Sequence, residues 1–276
     1  MKFKSQTMNI NFKNAVGYLT FKNLEKFSFL KHCFSTRLGG VSRGQFKSMN
    51  LSYSQGDIAE NVNENYRIFC DALGFNMEKL VLTSQIHGSK IKCIYENDIK
   101  PGTLNNRKFS GIDGLITDIK GVTLATFHAD CPAIFMVDSV KKVVGLAHAG
   151  WKGTVQKIAK KLVEKFVTCY GSSPSDLICS LGPAIGQCCF EVSENILPEF
   201  EKLGLPKTYL KRYDKNSDKA NIDLLEVNKQ MLLKEGVLKE NIVKSDVCTK
   251  CNHDLLFSHR ATNGKRGGSA AFISIV

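Results

Sequence analysis

Three short segments each set a reactive side chain at the end of an apolar, strand-like run. They are Thr83-Ser-Gln-Ile-His-Gly88, Phe127-His-Ala-Asp-Cys-Pro132 and Leu146-Ala-His-Ala-Gly-Trp-Lys-Gly153. Strand ends are where α/β proteins build their sites, because the sheet fixes the backbone while the loops open to solvent. His87, Cys131 and His148 offer two imidazoles and a thiolate, a ligand set that suits zinc or copper and leaves a fourth position for water or substrate. Glycines follow His87 and His148 closely and permit a tight approach of backbone or ligand. The spacing, 44 residues and then 17, is not that of a compact metal motif. Two other readings of the same residues stay open: structural histidines beside a buried small thiol, or a Cys131 nucleophile with a histidine base, oriented by Asp130.

Cys248-Thr-Lys-Cys251 has the pair spacing of a zinc ribbon, but the adjacent Cys188 and Cys189 make a poor second pair. The His-x-Glu with Pro-Cys-x-x-Cys pattern of the zinc nucleobase deaminases is absent. Gly39-Gly-Val-Ser-Arg-Gly44 lacks the Gly-Lys-Ser/Thr ending of a P-loop. Arg37 and Arg43 beside it, and Arg260 near the C-terminus, have the forked donors that grip an anion.

The elements that must position these residues read as alternating strands and helices. Strands are expected at Leu80–Leu82, Lys90–Tyr95, Val122–Phe127, Ala133–Val137, Val143–Ala147, Leu177–Leu181, Ile242–Val247 and Ala270–Val276, with a hairpin at Asp138–Lys142. Helices are expected over Asn61–Leu73, from an N-cap at Thr154 to Gly171, near Ser193–Leu203 around Pro198, and from Asp223 with Glu226 in a capping box to Gly236. Helices alternating with strands, some of them hairpins, imply an α/β fold with a mixed sheet covered by helices. No repeat or linker divides residues 1–276, so a single domain is expected.

The chain of 276 residues is 43% apolar, ordinary for a globular protein. No run reaches the length of a membrane helix, and the N-terminal residues lack the apolar core of a signal peptide, which places the protein in the cytoplasm with its ten cysteines reduced or ligated. The net charge of +12 is spread along the chain; its densest group, Lys157, Lys160, Lys161 and Lys165, falls on the polar side of an expected helix. No aromatic residues interleave with the basic ones as in a single-strand groove, so neither nucleic acid nor membrane is an expected partner.

Taken together, these segments resemble the laccase-domain family, described as multicopper polyphenol oxidoreductases and as bacterial purine nucleoside phosphorylases with adenosine deaminase activity. The resemblance runs from about His32 to the C-terminus. Its landmarks are Ser35-Thr-Arg-Leu-Gly-Gly-Val-Ser42, Met49-Asn-Leu51, Gln85-Ile-His-Gly88, Asp113-Gly-Leu-Ile-Thr117, Ala129-Asp-Cys131, His148-Ala-Gly-Trp-Lys-Gly153, Leu181-Gly-Pro-Ala-Ile-Gly186, Glu191-Val192, Cys248-Thr249 and Phe257-Ser-His-Arg260. The resemblance implies that His87, Cys131 and His148 bind zinc, with copper as the other candidate metal, and that Cys248 and Cys251 are not ligands. It implies a monomeric enzyme acting on a purine nucleoside and phosphate. Adenosine, inosine and methylthioadenosine are the candidate substrates. Zinc-activated water would attack C6 of adenosine, and phosphate would attack ribose C1′. Arg37, Arg260, Asp130 and Asn50 are the expected substrate contacts, with Asp130 or His128 also placed as orienter or acid/base. The alternatives are a copper-dependent polyphenol oxidase and a Cys–His hydrolase editing a cell-wall precursor, as the family's peptidoglycan-editing members suggest.

Overall fold

The computed structural model of the chain describes residues 3–99, 104, 108–212 and 218–276. The strands are β1 (Met8–Lys13), β2 (Val16–Phe21), β3 (Leu30–Ser35), β4 (Leu80–Ser84), β5 (Ile91–Cys93), β6 (Lys108–Ser110), β7 (Gly114–Thr117), β8 (Thr123–His128), β9 (Ala133–Asp138), β10 (Val143–His148), β11 (Leu177–Leu181), β12 (Glu191–Ser193), β13 (Leu210–Lys211), β14 (Lys219–Ile222), β15 (Ile242–Lys244) and β16 (Ser269–Ile275). The helices are α1 (Ala59–Leu73), α2 (Trp151–Val155), α3 (Ile158–Tyr170), α4 (Leu197–Glu201) and α5 (Leu224–Lys234).

The α/β character is as expected, but the strands form three sheets. The first runs β1-β2-β3-β16-β8-β4-β6, the second β15-β11-β9-β10-β7-β5, and a small third β12-β14-β13. Both large sheets are mixed: β4 is parallel to β8 while β16 is antiparallel to it, and β11 is parallel to β15 but antiparallel to β9. Side chains alternate across a strand, and the central strands bury both faces. Leu124, Ala271 and Ile273 of the first sheet meet Phe135, Val144 and Leu146 of the second in one apolar layer. Ala125, Ala270 and Phe272 on the opposite face pack on Val62, Tyr66 and Phe69 of α1. Val143 and Ala147 face outward onto Ile158, Leu162 and Phe166 of α3. The layers therefore read helix, sheet, sheet, helix. Strands buried on both faces appear in sequence as unbroken apolar runs, which is why β8, β9 and β10 are legible there. The edge strand β1, its neighbours β2 and β3, and the short β6, β7, β12, β13 and β14, are not.

The hairpin at Asp138–Lys142 forms, with Val143 opposite Asp138. The helix expected from Thr154 is instead two. Trp151 begins α2, the chain turns at Lys157 in the left-handed region (φ 64°), and α3 follows. Thr154 does not cap; its hydroxyl donates to Ala149 O (3.1 Å) and accepts from Asn228 Nδ2 (3.0 Å). Asp223 caps α5 by accepting from the Glu226 amide (2.9 Å), while the Glu226 carboxylate turns to Lys244 rather than closing a capping box. Pro198 lies in the first turn of α4, after a 3-10 turn, where its missing N–H costs nothing. Among the described residues no helix is long and apolar enough to cross a membrane.

Candidate metal centre and cleft

His87 follows β4, Cys131 lies in the connection that carries the chain from β8 in the first sheet to β9 in the second, and His148 ends β10. Their ligand atoms all lie within 4.8 Å of one another. His148 is buried, Cys131 partly buried and His87 exposed, so the cluster is closed on the protein side and open toward solvent. Two backbone bonds hold the strand ends together: His148 N–H donates to Asp113 O (2.7 Å) and Ala149 N–H to Pro132 O (2.9 Å). His87 (φ 60°) and Asp130 (φ 85°) occupy the left-handed region, which is costly for residues other than glycine and tends to mark functional sites. At Gly150 a Cβ would come within 2.9 Å of the His87 ring, 3.1 Å of Cys131 Sγ and 3.4 Å of the His148 ring, so only glycine lets the three ligands converge. A Cβ at Gly153 would stand 2.5 Å from Gly88 O, so that glycine lets α2 seat against the His87 loop.

Around the ligands sits a second set of residues. Asp113, fully buried, accepts from His148 Nδ1 (2.9 Å) and from the amides of Gly88 (2.9 Å) and Ile86 (3.2 Å). One carboxylate thus orients the His148 ring and pins the loop of His87, the usual way a protein fixes the tautomer of a metal-binding imidazole. Asp113 stands in a family landmark, but its residue type and position alone did not reveal this role. Gln85 pairs with Phe127 like a strand residue, donating to its carbonyl (2.8 Å) and accepting from its amide (2.6 Å), which ties the His87 loop to β8. His128 has both ring nitrogens engaged, with Cys131 O at Nδ1 (3.1 Å) and Thr126 Oγ1 at Nε2 (2.8 Å). Burial, reinforced by nearby His148, holds it neutral, well below the usual histidine range. Its two ring nitrogens thus hold the backbone of the connection that carries Cys131.

Burial pushes the Cys131 thiol up, but His148 and His87 together outweigh it and bring it down to about 6. Burial likewise opposes charge on His148, yet the Cys131 thiolate and Asp113 outweigh it and raise the imidazole to about 9. Without a metal the two groups therefore stand at neutral pH as a thiolate beside an imidazolium, and a divalent ion would take the thiolate as it is and displace the His148 proton.

The ligands form the floor of a cleft of about 140 Å³ whose walls include Gln85, Lys108, Phe127 and Arg266. None of the four expected substrate contacts lines it. Arg37 donates to the carbonyls of Lys47 (2.8 Å) and His253 (2.9 Å) and lies over the Phe257 ring. Asn50 is buried, holding Ser52, Gly268 and Asp57. Asp130 accepts from Thr249 Oγ1 (2.6 Å) and the Arg260 amide (2.7 Å). Arg260 donates to the carbonyls of Cys189 (3.2 Å) and Glu191 (3.1 Å). All four spend donors or acceptors on joining loops inside the protein. The cations that do face the cleft, Arg266 and Lys108, carry no distinguishing sequence signal among 38 basic residues. Arg266 donates to Gly267 O (2.9 Å), while its Nε is buried and has no hydrogen-bond partner among the described residues.

Two mixed sheets packed face to face, with an open His-Cys-His cluster where their strand ends meet, define a layered α/β protein whose cluster could hold a metal ion and has three candidate ligands rather than the four of a closed structural site. Residues 31–276 match the family described as multi-copper polyphenol oxidoreductase laccase, and the chain belongs to that family. It is 37% identical over 240 residues, 87% of this chain and 88% of the relative, to the purine nucleoside phosphorylase YlmD of Geobacillus stearothermophilus. It is 33% identical to the adenosine deaminase RL5 of an unknown prokaryotic organism, over 86% of this chain and 93% of that one. The crystal structure of YlmD from Geobacillus stearothermophilus superposes with a TM-score of 0.90 at 33% identity, covering 99% of both chains.

Proposed function

We propose that this chain is a zinc-dependent purine nucleoside phosphorylase that also deaminates adenosine, with inosine and methylthioadenosine as further candidate substrates. The observation that carries the reading is the open cluster of His87, Cys131 and His148 on the floor of a cleft whose rim bears Arg266 and Lys108. The names of the relatives give the chemistry: phosphorolysis of a nucleoside and deamination of adenosine. Zinc held there would act as a Lewis acid and acidify a water in its open position. The chain's own residues do the rest. Asp113 presents the far nitrogen of His148 to the metal, His128 sets the Cys131 backbone, and Gly150 keeps the space between the ligands clear. Arg266, with a buried unpaired donor, and Lys108 supply positive charge for a phosphate dianion, stabilising it as it approaches ribose C1′. Deamination consumes water and releases ammonia; phosphorolysis consumes phosphate and yields the free base and ribose 1-phosphate.

The same residues support a second reading. Cys131, His148 and Asp113 follow one another as thiolate, imidazolium and carboxylate, the order of a cysteine hydrolase. Copper as the ion is a third, since imidazole and thiolate suit both metals. One set of measurements separates them: products from adenosine with and without phosphate, before and after chelation, with zinc or copper restored. Adenine only with phosphate, inosine in either case, and loss of both on chelation with recovery by zinc is the expected result. Adenine formed equally without phosphate, or activity indifferent to chelation, would overturn the proposal.

A further inference from the structure

Four cysteines outside the cleft converge. Cys188 and Cys189 lie in a turn closed by the amides of Cys189 and Phe190 donating to Gly186 O (both 2.9 Å). Cys248 and Cys251 lie in a second turn, closed by the Asn252 amide (3.1 Å) and side chain (2.8 Å) donating to Cys248 O. The turns are 60 residues apart in sequence and meet where Thr249 N–H donates to Ala184 O (3.0 Å). Their four sulfurs all lie within 4.8 Å of one another, with Cys188 to Cys251 at 3.8 Å and Cys189 to Cys251 at 3.5 Å. A tetrahedral zinc with Zn–S bonds of about 2.3 Å has S···S edges of about 3.8 Å, so these separations match the edges of such a site. The sequence-based objection that adjacent cysteines cannot both serve is removed by the turn, which brings both thiols to one side.

We propose that Cys188, Cys189, Cys248 and Cys251 form a second, closed metal centre, a tetrathiolate site for zinc, separate from the cleft and independent of the proposed activity. Three features of its surroundings fit that role. The Gly186 amide donates to Cys248 Sγ (3.2 Å), the N–H···S contact that supports a ligating thiolate. A Cβ at Gly186 would press on Cys188 Sγ (3.2 Å) and on the Cys248 side chain (3.2 Å to Cβ), so the turn is cut to fit the cluster. The guanidinium of Arg260 donates to Cys189 O (3.2 Å) and pins the backbone of the turn that carries the first two thiols. With four protein ligands the site has no open position, and its role is to hold structure. What it holds is defined: the two turns carry Thr249 and the Cys189 carbonyl that anchors Arg260, and Thr249 Oγ1 and the Arg260 amide are the two partners of Asp130, next to Cys131.

The test is metal content of the full chain, purified under reducing conditions without chelator. About two zinc ions per chain are expected in the native protein. His87→Ala combined with His148→Ala should retain about one, and Cys248→Ser combined with Cys251→Ser about one, lost this time from the tetrathiolate site. The first variant keeps this test separate from the cleft: zinc there supports the tetrathiolate site even if the cleft binds no metal. Should the double serine variant fail to fold, cobalt substitution of the His87→Ala, His148→Ala variant replaces it. The intense thiolate-to-cobalt charge transfer and visible bands of a tetrahedral four-sulfur site are expected, and must vanish when thiol reagent is added. Absence of metal from the histidine variant, iron in place of zinc, or a mass showing a disulfide among these cysteines in freshly isolated protein would each overturn the assignment.

Discussion

Replacing Asp113 with asparagine removes no atoms yet should break the cleft's metal site. The carboxylate accepts three hydrogen bonds, from His148 Nδ1 on one oxygen and from the amides of Gly88 and Ile86 on the other. An asparagine has one acceptor oxygen and one donor NH2. If its oxygen faces His148, the NH2 confronts the Gly88 and Ile86 amides, which lose their acceptor and release the His87 loop. If its oxygen faces the amides, the NH2 faces Nδ1 and forces the imidazole proton onto Nε2, the nitrogen that must meet the metal. Each buried unsatisfied group costs about 1–3 kcal/mol, and losing such an orienting partner typically weakens metal binding about 10–100-fold, or about 1.4–2.7 kcal/mol. Because Asp113 holds two ligands at once, Asp113→Asn should fall at the upper end, about 100-fold weaker for zinc. Competition against a graded series of chelators at fixed pH reads the affinity, and denaturant unfolding of the metal-free protein reads the stability cost. A zinc affinity within about twofold of native would refute the reasoning, since it would mean His148 needs no fixed tautomer.

Gly150→Ala should lower zinc affinity at least about tenfold, roughly 1.4 kcal/mol, without unfolding the protein, because its Cβ intrudes on all three ligands; unchanged metal content after chelator challenge would count against that geometry. Arg266→Ala should reduce phosphorolysis about 10–100-fold, as losing a charge-assisted pair costs about 1.5–3 kcal/mol, and reduce deamination much less. Arg260→Ala should instead lower both rates together with the melting temperature, and selective loss of phosphorolysis in Arg260→Ala would return the phosphate to that residue. His32 predicts an acid sensitivity. Its Nε2 accepts the Phe21 amide (2.8 Å), and burial lowers it to about 4. The unfolded chain takes up that proton near 6.5, so the contribution is complete above that pH and is lost as pH falls toward 4, costing about 2 kcal/mol at pH 5. In denaturant midpoints at pH 7 and pH 5, His32→Gln should lose less stability than the native chain by about that amount; equal losses would place the sensitivity elsewhere.

What could be read without coordinates follows from which physical signals are local. The runs at Thr123–His128, Ala133–Asp138 and Val143–His148 declare themselves because strands buried on both faces need apolar residues at nearly every position. The α1 stripe of Val62, Tyr66 and Phe69 declares itself because its face lies against one sheet. The reactive residues His87, Cys131 and His148 are visible as polar groups at the ends of such runs, and the family landmarks named them as a set. The convergence was not visible, because separations of 44 and 17 residues contain no geometry. Two sheets had to stack so that the end of β4, the β8–β9 crossing and the end of β10 arrive at one point. The same limit explains the arginines. Arg37, Arg260 and Arg266 share one chemistry, and only packing decides that two spend their donors on loop carbonyls while Arg266 faces the cleft. It explains the cysteines as well. Cys188 and Cys189 look unfit as a ligand pair in one dimension, yet a turn directs both thiols toward Cys251, where they could be two corners of a tetrahedron. Residue type is a property of the sequence, but which groups find partners is a property of distance, and distance is set by the fold.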